Sequence, residues 1–197
     1  MNKKSRKLPS IITSYNFRSG TRYTLSCTIK KLIITLKEKK QTLALAESCS
    51  GGYASYLLTK IPGASDVFKG SVVIYSLETK NKLFQIPLSL LKKTQGVSKE
   101  VALKLAQRVR KKFNADIGAS IVGFAGPSTM LRTSTEQSRS AGPATKKGIK
   151  VGTTFIAFSS KNKQKGEKII IKGSRDSVRK RASTYLINLI YKELIKK

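Results

Sequence analysis

Residues 42–52, TLALAESCSGG, decide the fold class of this chain. The first six residues form a short apolar run, which is typical of a strand buried on both faces. Hydroxyl residues and two glycines follow at once, and the next residues, YASYLLTKI, have a helical pattern that Pro62 and Gly63 end. A buried strand that turns sharply into a helix predicts an α/β protein.

Strand-like and helix-like stretches alternate along the rest of the chain. Short apolar runs predict further strands over residues 67–75, 116–123, 151–159 and 167–172. Apolar residues at helical spacing predict helices over residues 27–40, 50–61, 98–113 and 174–196. The last two strands are joined by the Lys-rich turn KNKQKG, which makes them antiparallel. The chain is therefore predicted to be a three-layer α/β/α sandwich with a mixed, mostly parallel sheet of about five strands.

Two segments stand outside this alternation. Residues 1–26 are basic and lack apolar periodicity, so we interpret them as a poorly ordered N-terminal extension; the alternative is a docked first strand. Residues 27–197 then form the domain. Within it, residues 125–148 are rich in Ser, Thr, Gly and Pro, which predicts a long loop that is either mobile and functional or a disordered insert.

Composition excludes several classes of chemistry. The 197 residues contain no histidine, so the chain has no Ser-His-Asp triad, no Cys-His pair and no imidazole metal site. Its two cysteines, Cys27 and Cys49, are too few for a disulfide framework or a structural zinc site and favour a cytoplasmic location. No apolar run approaches the roughly 18 residues of a membrane-spanning helix. The formal charge of +30 is typical of proteins that meet nucleic acid, ribosomes or anionic membranes.

The turn after the first strand is the first candidate site. Residues 48–52, SCSGG, bring hydroxyls, a thiol and backbone N–H groups to the start of a helix, where an anion or an oxyanion can bind. The structural alternative is a helix cap whose glycines ease the packing of helix on strand. Cys49 is either a nucleophile or, as is more common, buried packing.

The second candidate site is the motif YSLETK, residues 75–80, which follows a strand at the edge where α/β sheets bind ligands. Without histidine, a serine nucleophile must use Lys, Tyr or a carboxylate as its base. Lys80 suits this role if it is buried, because burial lowers the pKa of an amine. The alternative is that Lys80 is one of many surface cations.

Two weaker motifs follow. Residues 123–127, GFAGP, allow the backbone to turn sharply beside a bound group. Residues 173–176, GSRD, open the last helix, where Arg175 can grip a phosphate or carboxylate with two hydrogen bonds. The alternative for Arg175 is an exposed side chain paired with Asp176.

In order and spacing, these motifs resemble the C-terminal domain of CinA, the competence/damage-inducible protein family. The matching runs are AESCSGG, PGAS, VVIYSLETK, GVS, GFAGP, VGT and GSRDSVRKRA, and they cover roughly residues 28–195. Stand-alone members of this family are nicotinamide-nucleotide amidohydrolases. The resemblance therefore implies hydrolysis of nicotinamide mononucleotide to nicotinic acid mononucleotide and ammonia, without a metal or an organic cofactor.

The resemblance also implies a role for each site residue. It places the nucleophile at Ser48, its base at Lys80 and an orienting or relaying tyrosine at Tyr75. Substrate-binding roles fall on residues of the turn and of the two weaker motifs: Ser50, Gly51, Gly52, Gly123, Gly126 and Arg175.

The chain departs from the family pattern in three places. Val122 replaces a small hydroxyl residue, Leu77 replaces an asparagine, and the loop 125–148 is longer and poorer in glycine. These departures and the charge leave a second hypothesis open, a catalytically weak or inactive protein that binds nucleotides or nucleic acid. Basic residues are spread over the whole chain rather than along one stripe, which favours the enzyme. The expected partners are a small nucleotide and a second copy of the chain, with nucleic acid not favoured and no membrane.

Overall fold

A computed structural model describes residues 25–126 and 149–196. The elements in chain order are α1 (Leu25–Glu38), β1 (Leu43–Glu47), α2 (Tyr53–Thr59), β2 (Phe68–Val73), α3 (Leu77–Phe84), α4 (Leu88–Thr94), α5 (Lys99–Lys112), β3 (Ile117–Gly123), β4 (Thr153–Ser159), β5 (Gln164–Ile170) and α6 (Arg175–Ile195). Residues 1–24 of the predicted extension and residues 127–148 of the predicted loop lie outside the described residues. Residues 25 and 26, which we assigned to the extension, belong to α1.

The five strands form one sheet in the order β2-β1-β3-β4-β5. β1 pairs in parallel with β2 and β3, whereas β4 pairs antiparallel with β3 and β5. Four strands therefore run in one direction and β4 runs against them, which confirms the predicted α/β fold with a mixed sheet of five strands.

Helices cover both faces of this sheet because successive residues of a buried strand point to opposite sides. Leu43 and Leu45 of β1 pack into a core with α1, α2 and α6. Ala44 and Ala46 of the same strand face a second core that includes α5. All five residues of β1 are buried, as expected for a strand covered on both faces.

The sequence pattern predicts no helix between residues 76 and 97, yet α3 and α4 form there. Each helix spans only about two turns, which is too short for an apolar period to be recognised. Gln85 ends α3 in a left-handed conformation, and Pro87 precedes α4. The boundary between the two helices therefore interrupts the helical spacing of apolar residues from which a helix is predicted.

The edge strands differ from their predicted bounds. β2 ends at Val73, two residues earlier than predicted. β5 begins at Gln164, inside the run KNKQKG predicted as a turn, and the Ser160 N–H closes a shorter turn by donating to the Lys163 carbonyl. β5 is an exposed edge strand, so polar residues extend it and the apolar run marks only its second half.

Candidate active site

Ser48 and Lys80 meet at the carboxyl edge of the sheet. Ser48 directly follows β1, and its N–H donates to the carbonyl of Ile121 in β3. Lys80 lies on α3, whose start is fixed because the Ser76 hydroxyl accepts the N–H of Thr79. The Nζ atom of Lys80 donates to Ser48 Oγ at 3.1 Å. The two side chains are therefore in direct contact, as a serine and its base must be.

The ammonium group of Lys80 is almost completely removed from water. Only 2% of the residue is exposed, and its Nζ also donates to the carbonyl of Tyr75 at 3.1 Å. The aliphatic part of its side chain packs against Gly96: a Cβ added to that glycine would lie 3.5 Å from Lys80 Cδ. Burial lowers the pKa of Lys80 from 10.5 to about 8. Among the described residues no carboxylate pairs with Lys80, so the neutral amine is available close to neutral pH.

Left-handed glycines shape the turn that follows Ser48. Gly51 has φ 60° and Gly52 has φ 89°, conformations that side chains with a Cβ rarely adopt. The N–H of Gly51, one of three expected to hold an oxyanion, donates instead to the Ser48 carbonyl at 3.1 Å. Within the described part of the chain, the N–H groups of Ser50 and Gly52 have no hydrogen-bond acceptor, and Ser50 is fully buried.

Arg179 holds this turn from α6; it lies in the run GSRDSVRKRA, but no role was predicted for it from the sequence. Its Nε and Nη2 atoms donate to the Ser50 carbonyl at 3.2 and 3.1 Å. Arg175 lies one helical turn earlier, and its side chain reaches the GFAGP motif, where a Cβ on Gly126 would lie 3.2 Å from Arg175 Nε. Two signals in the sequence could have pointed to Arg179: its place in the run GSRDSVRKRA and its spacing from Arg175 on one helix face.

Cys49 is placed as a packing residue. Burial raises the pKa of its thiol to about 12, so the reactive thiolate does not form near neutral pH. A Cβ on Gly123 would lie 3.1 Å from Cys49 Sγ, so the glycine lets the GFAGP motif approach the turn closely. These observations support the packing interpretation of Cys49.

Glu47 is a second buried residue that the sequence motifs contained but did not explain. Its carboxylate accepts the N–H groups of Ala54 and Ser55 at 3.1 and 2.8 Å, and the Ser55 hydroxyl at 2.5 Å. It thereby fixes the first turn of α2 against the end of β1. Glu47 is therefore engaged by α2 and does not neutralise Lys80.

Tyr75 contributes to the site through its backbone. Its carbonyl accepts a hydrogen bond from Lys80, while the residue is 66% exposed. The family resemblance implies an orienting or relaying role for Tyr75; the contact that the structure gives between Tyr75 and Lys80 is made by the carbonyl. The phenol stands in solvent beside the edge strand, where a ligand can reach it.

Val122 lies beside Ser48. Glu47 and Ile121 are partners in the parallel register of β1 and β3, so Val122 is the neighbour of Ser48 across the ladder. The residue is fully buried and belongs to the core on the α5 side of the sheet. The hydroxyl that this chain lacks would therefore lie on the same face of the sheet as Ala46, next to Ser48.

The described residues contain no group of three or more His, Cys, Asp or Glu side chains that could hold a metal ion. In the same ranges, no helix has both the length and the apolar character needed to cross a membrane.

Comparison with known proteins gives one consistent family. Residues 26–194 match the CinA C-terminal domain. A putative competence-damage inducible protein of Geobacillus is 39% identical over 166 residues, which are 84% of this chain and 36% of that protein. A CinA-like protein of Cytophaga hutchinsonii is 35% identical over 188 residues, 95% of this chain and 40% of that protein. The chain thus spans little more than a third of the length of these relatives.

Solved structures agree with the fold. A CinA superfamily protein from Enterobacter cloacae matches with a TM-score of 0.78 at 23% identity, over 91% of this chain and 98% of that one. A competence or damage-inducible protein from Enterobacter asburiae matches with a TM-score of 0.77 at 22% identity, over 88% of this chain and 99% of that one. With a match that covers most of its length, the chain belongs to the CinA C-terminal domain family.

Proposed function

We propose that the protein is an amidohydrolase that converts nicotinamide mononucleotide into nicotinic acid mononucleotide and ammonia. The observation that carries this proposal is the 3.1 Å hydrogen bond between Ser48 Oγ and the buried Nζ of Lys80. A serine that lacks a histidine needs another base, and an amine with a pKa of about 8 can accept its proton near neutral pH.

In the proposed reaction, Ser48 Oγ attacks the carboxamide carbon while Lys80 takes the hydroxyl proton. The N–H groups of Ser50 and Gly52 donate to the oxyanion that develops. Lys80 then returns the proton to the departing nitrogen, and ammonia leaves an ester of Ser48. A water molecule, deprotonated by the same lysine, hydrolyses this ester and restores the serine.

The choice of substrate rests on the family resemblance and on the charge at this edge of the sheet. Arg175 lies against the GFAGP motif at the start of α6, within the same group of loops as the nucleophile turn. A guanidinium at this position suits the phosphate of a mononucleotide, which it can hold with two hydrogen bonds. The exposed ring of Tyr75 is available to contact the pyridine ring.

The test is release of ammonia by the purified protein from nicotinamide mononucleotide, with nicotinamide as the matched substrate that lacks ribose and phosphate. We expect ammonia from the nucleotide, much less from nicotinamide, and none above background from Ser48→Ala. If wild type and Ser48→Ala release equal amounts, the protein is not this hydrolase. A nucleic-acid-binding protein would instead show binding that collapses steeply between about 50 and 200 mM salt.

A further inference from the structure

One peptide group in the turn after Ser48 is held at both ends. Its carbonyl, that of Ser50, accepts Nε and Nη2 of Arg179 at 3.2 and 3.1 Å. Its N–H, that of Gly51, donates to the Ser48 carbonyl at 3.1 Å. Because a peptide group is planar, this unit cannot rotate without losing hydrogen bonds on both sides.

The held peptide lies between the groups that the proposed reaction uses. Ser48 comes two residues before it, and the N–H groups of Ser50 and Gly52 belong to the peptides on either side. A displacement of the central peptide moves the Cα atoms of Ser50 and Gly51, and with them the peptides that carry the two N–H groups. A displacement of about 1 Å at such a point is enough to lower a reaction rate strongly.

We infer that Arg179 is a positioning residue that fixes the turn of the nucleophile through the Ser50 carbonyl. The inference rests on the proposed chemistry of Ser48 and extends it to a side chain that acts through the backbone. Only a planar guanidinium can direct two N–H groups to one oxygen in this way. Gly51 leaves the space for it, since a Cβ there would lie 3.2 Å from Arg179 Nη2.

The test uses the full chain with Arg179→Gln, which removes the charge and the fork, and Arg179→Lys, which keeps the charge alone. The matched control is Arg181→Gln, because Arg181 lies on the same helix, is half-buried and donates to the carbonyl of Lys172 at 3.2 Å. Thermal unfolding of each variant reports whether it is folded.

The first readout is the rate at which an alkyl fluorophosphonate labels Ser48, followed by intact mass. In this reaction Ser48 Oγ forms a bond to phosphorus, fluoride leaves, and the hydroxyl proton passes to Lys80. The probe reports the reactivity of the serine without requiring the nucleotide. The second readout is hydrogen exchange of the Gly51 amide, whose hydrogen bond to Ser48 is part of the held unit.

We expect Arg179→Gln to slow labelling by about 10- to 100-fold and to speed exchange of the Gly51 amide. Arg179→Lys should slow labelling less, and Arg181→Gln should match the wild type in both readouts. If Arg179→Gln does not fold, slower labelling of the folded Arg179→Lys variant carries the same expectation. The inference would be overturned if either folded Arg179 variant were labelled at the wild-type rate. It would also be overturned if Arg181→Gln slowed labelling equally, or if the wild type were not labelled at Ser48.

The outcome also separates this inference from the proposed substrate. A wild type that is labelled at Ser48 but releases no ammonia would refute the substrate, and Arg179 would still be judged by the labelling rates. If ammonia is released, Arg179→Gln should lower kcat while KM changes by less than about threefold. A raised KM with unchanged kcat would show that Arg179 binds substrate, and the positioning role would be wrong.

Discussion

Replacing Lys80 with methionine should abolish amide hydrolysis and at the same time stabilise the fold at neutral pH. Methionine keeps the length and the apolar stem of lysine but carries no charge. Burial lowers the pKa of Lys80 from 10.5 to about 8. At 1.36 kcal/mol for each pKa unit, burying the protonated amine costs the folded state about 3 kcal/mol near pH 7.

Part of this cost is offset by contacts that methionine loses. Lys80 donates to Ser48 Oγ and to the Tyr75 carbonyl, and each such hydrogen bond contributes about 1 kcal/mol. We therefore expect Lys80→Met to raise the free energy of unfolding at pH 7 by about 1 kcal/mol or slightly more. This balance is small, so the pH dependence is the sharper measurement.

The sign of that dependence follows from proton binding. Between pH 8 and pH 10.5 the unfolded chain holds the Lys80 proton more tightly than the folded chain does, so wild-type stability gains from rising pH. By pH 9.5 the wild type recovers about 2 kcal/mol relative to its own value at pH 7. Lys80→Met has no such group, and its advantage should disappear or reverse over the same interval.

The assay is urea unfolding followed by circular dichroism at pH 7 and pH 9.5, which is suited to a chain of this size. Lys82→Met is the matched control because Lys82 lies on the same helix with 72% of its side chain exposed and pairs with Glu78 on the surface. It should change stability by less than about 1 kcal/mol at both pH values. A difference between Lys80→Met and wild type that does not change with pH would refute the reasoning.

Three further outcomes are expected. Ammonia release should rise with pH as Lys80 loses its proton and should be about tenfold lower at pH 7 than on the plateau above pH 9; a flat profile of initial rates would exclude Lys80 as the base. Gly51→Ala should lower stability by about 1 kcal/mol or more in thermal unfolding, because its φ of 60° disfavours alanine and its Cβ would lie 3.2 Å from Arg179 Nη2; an unchanged midpoint would show that the turn is loose. Val122→Thr should raise the rate by about 5- to 150-fold by restoring one hydrogen bond beside Ser48, whereas a lower midpoint without a faster rate would show that the hydroxyl finds no partner.

Helices that are long enough to repeat the apolar spacing several times could be predicted from the sequence. The spacing of Ile29, Leu32, Ile33 and Leu36 predicts both α1 and its buried face, and all four are buried. α3 and α4 could not be read in this way because each is short and their junction turns at Gln85 and Pro87. The pattern carries information only where an element is long enough to repeat it.

Some residues of the candidate site could also be predicted from the sequence, and others could not. Ser48 and Lys80 could be found because reactive side chains are visible as residue types after two neighbouring strands, and the sheet brings those strand ends together. The contact of Arg179 with the turn could not be found, since its acceptor is a backbone carbonyl 129 residues away. Every residue has a backbone carbonyl, so the residue type at position 50 does not reveal that its carbonyl accepts a side chain. Only the folded structure shows that Arg179 donates to it.

Glu193 and Lys80 are both buried, but within the described part of the chain Glu193 is paired with opposite charges and Lys80 is not. This contrast supports a chemical role for Lys80. Although burial alone would raise the pKa of Glu193, hydrogen bonds from Lys163 and Lys196 bring that pKa below its ordinary value. These ion pairs, at 2.6 and 2.5 Å, keep the carboxylate charged, as a structural role requires. Lys80 is also buried, but among the described residues it has only a hydroxyl and a carbonyl as acceptors, while the carboxylate of Glu47 is engaged by α2. A lysine kept only for stability would be better paired or replaced by an apolar residue. A buried amine left without a counter-ion is poised to exchange its proton, and the group within its reach is the hydroxyl of Ser48.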